Sequence, residues 1–141
     1  MRLYAFSNYY LSSLQQGLQT AHLVANLFCQ NSGGTSHRLD EWARWHKTIV
    51  ILNGGNSANI SAISHQLSTL GAQLGLPNAS FCEDIESLNG AITVTGIVVP
   101  SNVYEFAAVR EWNVTNIHLE SVVSPTEREL ATILQSYPLA R

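Results

Sequence analysis

The chain reads as a single α/β domain in which a mixed sheet of four or five strands carries helices on both faces. Three observations predict this. Short apolar, β-branched runs alternate with stretches whose apolar residues recur every three or four positions, the pattern of strands separated by helices. With 141 residues, 45% of them hydrophobic and only four prolines, the chain is large enough for one core and shows no linker to divide two. Finally, Thr48, Ile49, Val50, Ile51 and Leu52 end abruptly in Asn53, Gly54, Gly55, Asn56 and Ser57, after which the periodicity becomes helical.

Taken in order, residues 2–6 predict a short buried strand closed by Ser7 and Asn8. A helix follows, with Ser12 and Ser13 as natural N-caps and Gln15 and Gln16 three positions on to complete capping boxes. Leu14, Leu18, Ala21, Ala25 and Phe28 repeat at steps of four and three, which predicts that this stripe packs on the sheet. A second stripe, Gln15, Gln19, His22, Asn26 and Gln30, is wholly neutral polar. A solvated face normally carries Lys and Glu, so this one is expected to meet a ligand or another subunit.

Residues 31–36 read as a flexible loop, and 37–45 as a short helix with Trp42 and Trp45 on its apolar side. After the strand at 48–52, Ile60, Ile63, Leu67, Leu70 and Leu74 mark a long helix stopped by Gly75 and Pro77. Strands are expected at 79–83 and 91–99, joined by a polar connection, 84–90, whose Asn89-Gly90 pair favours left-handed backbone. Residues 101–111 read as a helix and 117–123 as an edge strand. The last helix has the strongest start signal: Ser124, then Pro125 at the first helical position and Glu127 closing the box. The apolar runs of the second and fourth strands suit interior positions.

Composition limits the function. Only 12% of residues are charged, about half the usual share, so much of the surface is neutral and self-association into a homodimer or larger homo-oligomer is expected. A net charge of −3 with seven Lys and Arg disfavours a long nucleic-acid partner, which needs many phosphate contacts. Cys29 and Cys82 lack metal or CxxC spacing, and His37, His46, His65 and His118 have no ligand spacing, so neither metal nor other cofactor is expected. Three Asn-x-Ser/Thr triplets, at Asn59, Asn78 and Asn113, read as chance in the absence of a secretion signal. Without such a signal or an apolar run of bilayer length, the expectation is a cytoplasmic protein with reduced thiols and no membrane association.

The first strand and its polar loop, Gln19-Thr20-Ala21-His22, the strand ending near Leu52, Leu74-Gly75-Leu76-Pro77, Asp84 and Thr95-Gly96-Ile97 occur in an order that resembles the type II peptidyl-tRNA hydrolase family over about three quarters of the chain. The resemblance implies a mixed sheet with helices on both sides, commonly a dimer, and cleavage of the ester between peptide and tRNA. It would make His22 and Asp84 the catalytic candidates. This sequence departs from the family where lysines are expected: Gln15 stands at one such position, and the loop offers Tyr9, Tyr10, Ser12 and Ser13. Loss of those ammonium groups removes both phosphate attraction and stabilisation of negative charge developing in ester cleavage.

Three functional classes follow. The first is non-catalytic binding or sequestration of a small nucleotide-like ligand. Its candidate residues are Asn8, Gln15, Gln19, Asn53, Gly54, Gly55, Asn56, Ser57, Phe81, Asp84, Ser87, Asn89 and, for a phosphate, Arg110. Glycine backbone and helix-start N–H groups suit an acceptor-rich ligand, although the same glycines serve equally well as a tight strand-to-helix turn. The concrete form of this reading, by similarity of size and style, is a small phage protein that sequesters a cyclic nucleotide immune signal in the host cytoplasm. The second class is a peptidyl-tRNA hydrolase with a rearranged site, and the third a homo-oligomeric interaction module.

Overall fold

The computed structural model describes residues 1–31, 33, 36–109 and 122–141, with Ser36, Ser87 and Leu88 described by their backbone alone. Arg110, Trp112, His118, the Asn113 triplet and nearly all of the strand expected at 117–123 therefore lie outside the described residues. Within them, four strands form one mixed sheet: β1 (Arg2–Asn8), β2 (Ile49–Gly55), β3 (Asn78–Cys82) and β4 (Ile92–Val99). Their order is β2-β1-β4-β3, with β1 parallel to β2 and antiparallel to β4, and β4 antiparallel to β3.

Side-chain alternation along β1 divides the core in two. Tyr4 and Phe6 join Leu52, Ile97 and Val99 on one face. That face is covered by α3 (Ser57–Leu74), α5 (Ser101–Ala108) and α6 (Pro125–Ser136), through residues such as Ile63, Leu67, Val103, Phe106, Leu130 and Leu134. Leu3 and Ala5 join Val94 and Val98 on the opposite face, beneath α1 (Ser13–Gln30), α2 (Ser36–Glu41) and the π-helical turn Trp42–His46 that continues α2. Helices on both faces of a mixed sheet are thus observed as expected.

The helix starts follow local chemistry. Ser12 caps α1 in a full capping box with Gln15, and Ser124 caps α6 with Glu127 and Pro125 at its first turn. α3 ends at Gly75, whose φ of 66° is the left-handed conformation that glycine adopts without steric cost. Asn89 and Gly90 are both left-handed, with φ of 54° and 70°, directly after the short helix α4 (Ile85–Leu88) that the sequence reading had as plain connection.

Four expectations are corrected. The stripe Leu14, Leu18, Ala21, Ala25 and Phe28 does not pack on the sheet: all five are exposed, and α1 buries Gln16, Gln19, Thr20, Leu23 and Leu27 instead. Gly96 fixes that rotation, because a Cβ there would lie 2.7 Å from Leu23 Cδ2. Trp45 is 78% exposed while Trp42 is buried and donates from its indole N–H to the Thr48 carbonyl at 3.0 Å, since the π turn breaks the α spacing between them. β2 is an edge strand among the described residues, and its outer side is covered by a C-terminal segment: Asn53 N–H donates to Pro138 O at 2.8 Å and Ala140 N–H to Ile51 O at 2.9 Å. Lastly, Asn53, Gly54 and Gly55 belong to β2 rather than to a loop, leaving Asn56 alone as the N-cap of α3.

Candidate functional site

The carboxyl ends of the parallel strands β1 and β2 face the amino ends of α1 and α3, the arrangement at which open α/β sheets place ligands. β1 gives way there to a turn held by its own asparagine: Asn8 Oδ1 accepts the Tyr10 N–H at 3.0 Å, and Tyr9 N–H donates to Gly55 O at 3.0 Å. The other end of the Asn8 amide crosses to α3, where Nδ2 donates to Ser57 Oγ at 3.0 Å. Asn8 is 6% exposed, so its orientation is set by these two bonds.

A cavity of about 340 Å³ opens beside this junction. Its polar lining comes from Asn8, Gln15, Ser57 and Thr93, and its apolar lining from Leu11, Ala91 and the Tyr10 ring. The volume lies at the small end of ligand sites, about 300–1,000 Å³. Three separately singled-out residues, Asn8, Gln15 and Ser57, meet here from β1, α1 and α3. Ser57, at the start of α3, and Ala91, which follows the 84–90 connection, both line this cavity, whereas none of the described lining residues belongs to 53–56 or to 84–90. Among the described lining residues there is no carboxylate, imidazole, guanidinium or ammonium group.

The aromatic pair at the mouth is accessible. Tyr9 and Tyr10 are 48% and 73% exposed with ring centroids 4.0 Å apart. A hydrogen bond with the Tyr10 hydroxyl holds the Tyr9 phenol above its ordinary titration range. Tyr9 also borders a neighbouring cavity of about 420 Å³, which brings together Gln16, Asn53 and Arg141.

The remaining glycine-segment residues are engaged with one another. Asn53 Oδ1 accepts the Gly55 N–H at 3.0 Å, Asn56 Oδ1 accepts the Asn59 N–H at 2.8 Å, and Asn59 Nδ2 donates to Gly54 O at 2.6 Å. Gly54 is buried, and a Cβ on it would lie 3.0 Å from Ile60 and 3.1 Å from Phe6; its missing side chain lets α3 dock on β1.

The neutral stripe of α1 lies along β3. Gln19 Nε2 donates to Glu83 Oε1 at 2.5 Å, and its Oε1 accepts from Thr93 Oγ1 at 2.7 Å. The His22 ring stacks on Phe81 with centroids 4.5 Å apart, and Asn26 Nδ2 donates to Ser80 O at 2.9 Å. Of the stripe, Asn26 caps a β3 carbonyl, His22 covers Phe81 of β3, and Gln19 ties α1 to Glu83 just beyond β3 and to Thr93 of β4. Neither His22 nor Asp84 lines the 340 Å³ cavity; Asp84 and Asn89 are exposed on the 84–90 connection, and Ser87 belongs to α4.

No family model and no curated protein matches this chain. Among the described residues, no three His, Cys, Asp or Glu side chains converge on a metal-sized site, and no helix is long and apolar enough to cross a membrane. Leu11, Ala91 and Thr93 are site residues that sequence reasoning did not single out. Thr93, like Thr95, carried a signal, a hydroxyl inside a largely apolar strand run, whereas Leu11 and Ala91 are defined only by the fold around them.

Proposed function

We propose that the protein binds a small nucleoside-like ligand at the Asn8, Gln15 and Ser57 cavity and releases it chemically unchanged. The carrying observation is the lining itself: amides and hydroxyls from β1, α1, α3 and β4 converge on a mostly apolar recess with no carboxylate, imidazole, guanidinium or ammonium group among the described lining residues. Neutral donors and acceptors orient a heterocycle, apolar walls and an exposed tyrosine ring supply contact area, and no charged group among the described lining residues is placed to stabilise charge developing in a reaction. Sequestration of a nucleotide signal, including a cyclic one, is the biological form this chemistry fits. The base and sugar would occupy the recess, with phosphate directed to solvent. A relationship to type II peptidyl-tRNA hydrolases is consistent with a retained framework that no longer cleaves esters.

The test combines native mass spectrometry of freshly purified protein with calorimetry against nucleosides, mononucleotides and cyclic nucleotides. We expect one ligand per protomer, similar affinity for a nucleoside and its phosphorylated forms, and loss of binding in Ala91→Phe, which fills the recess. Affinity that climbs steeply with phosphate count would contradict the neutral site. Release of peptide from charged tRNA by the purified protein would replace binding with hydrolysis.

A further inference from the structure

α1 turns its most regular apolar seam to solvent. Leu14, Leu18 and Phe28 are 84%, 55% and 50% exposed, and Ala21 and Ala25 between them are exposed as well. These five residues recur at steps of four, three, four and three, the spacing of the a and d positions along which two helices pack as a coiled coil. Contiguous apolar surface of this kind on a soluble domain marks a contact site. We propose that this face is the interface with a second copy of the chain, formed by antiparallel packing of α1 on α1 across a two-fold axis at Ala21.

Charge selects the occupant. None of the 18 residues of α1 is Asp, Glu, Lys or Arg, so the face offers no counter-charge to an acidic or basic partner segment. A second copy meets it without like-charge repulsion between the two α1 helices. The antiparallel sense opposes the two helix dipoles. It also sets Gly17, Ala21 and Ala25 at the crossing, where small side chains allow close approach, and pairs Leu14 of one copy with Phe28 of the other. A contact centred on one helix falls below the roughly 800 Å² per protomer of a standard interface, so the dimer is reversible.

Sedimentation velocity from about 1 µM to about 1 mM tests this. Wild type is expected to pass from monomer to dimer within that range. Leu18→Glu is expected to stay monomeric with unchanged circular dichroism, because Leu18 lies outside both cores. Trp45→Glu, which alters an equally exposed apolar residue away from α1, is expected to leave the dimer intact. A Cys29→Ser, Cys82→Ser, Ala21→Cys protein should form an intermolecular disulfide under mild oxidation, and this readout does not depend on how Leu18→Glu folds. A wild type monomeric throughout, a dimer that survives Leu18→Glu or is lost in Trp45→Glu, or an Ala21→Cys protein that does not cross-link would each overturn the proposal.

Discussion

At the scale of single residues, two positions show how little space or charge the fold has to spare. Gly96 sits in β4 where a Cβ would lie 2.7 Å from the Tyr4 carbonyl oxygen as well as from Leu23 Cδ2. A side chain can rotate away, but a backbone carbonyl in the middle of a sheet cannot. Gly96→Ala is expected to lose about 1–3 kcal/mol in urea denaturation, and an unchanged midpoint would show that α1 is not in close contact with β4. The second position is Glu127. Burial alone would raise its titration point, but the Ser124 backbone N–H, the Asn102 amide, the Ser124 hydroxyl and the Arg38 charge outweigh it and hold the carboxyl below its ordinary value of 4.5. A depressed folded value contributes stability that is complete above the unfolded value and is lost as pH falls through the folded one. The melting-temperature advantage of wild type over Glu127→Gln should therefore be constant near neutrality and shrink below about pH 4.5. An advantage that persists unchanged into strong acid would assign the effect to shape and not to charge.

At the scale of elements, the edges of the sheet explain residues that composition left ambiguous. Among the described residues no strand pairs with the outer side of β3, and the Asn31 side chain closes its first residue from both directions. Nδ2 donates to Asn78 O at 3.0 Å, and Oδ1 accepts the Asn78 N–H at 3.3 Å. Asn26 does the same for the Ser80 carbonyl. Such capping blunts an edge that would otherwise template strand addition by another molecule. Asn31→Ala is expected to cost about 1–3 kcal/mol and to speed hydrogen exchange at Asn78, and exchange unaltered from wild type would remove this role. The neutral stripe on α1 was legible as unusual, because charged residues were missing from it. That it meets β3, the last strand of the sheet among the described residues, was not legible, since strand order is a property of the assembled sheet.

At the scale of the whole molecule, the other edge is protected by distant chain. Residues 138–140 pair with β2, and the same segment forms one wall of the cavity shared by Asn53 and Arg141. Deleting residues 138–141 is expected to raise the exchange rate of the Asn53 amide by at least about tenfold, corresponding to about 1.4 kcal/mol of lost local protection, while β1 and β4 amides in the interior stay protected. Uniform loss of protection across the sheet would mean instead that the tail is needed for the global fold.

The sequence by itself determined that this is one α/β domain, where most strands and helices lie, how α1 and α6 begin, and that the Asn89-Gly90 pair turns left-handed. Those features rest on interactions within a few residues, so local periodicity and capping chemistry report them directly. It also pointed to Asn8, Gln15 and Ser57. The tertiary structure alone decided that these three share a cavity, that the glycine segment is strand, and that β2 lies at an edge. It alone chose which of two stripes on α1 faces inward. A helix carrying both Leu14-Leu18-Ala21-Ala25-Phe28 and Gln16-Gln19-Thr20-Leu23-Leu27 is nearly degenerate in rotation, and that degeneracy is broken only by what it packs against: the gap at Gly96, the Phe81 ring and the Ser80 carbonyl that Asn26 caps.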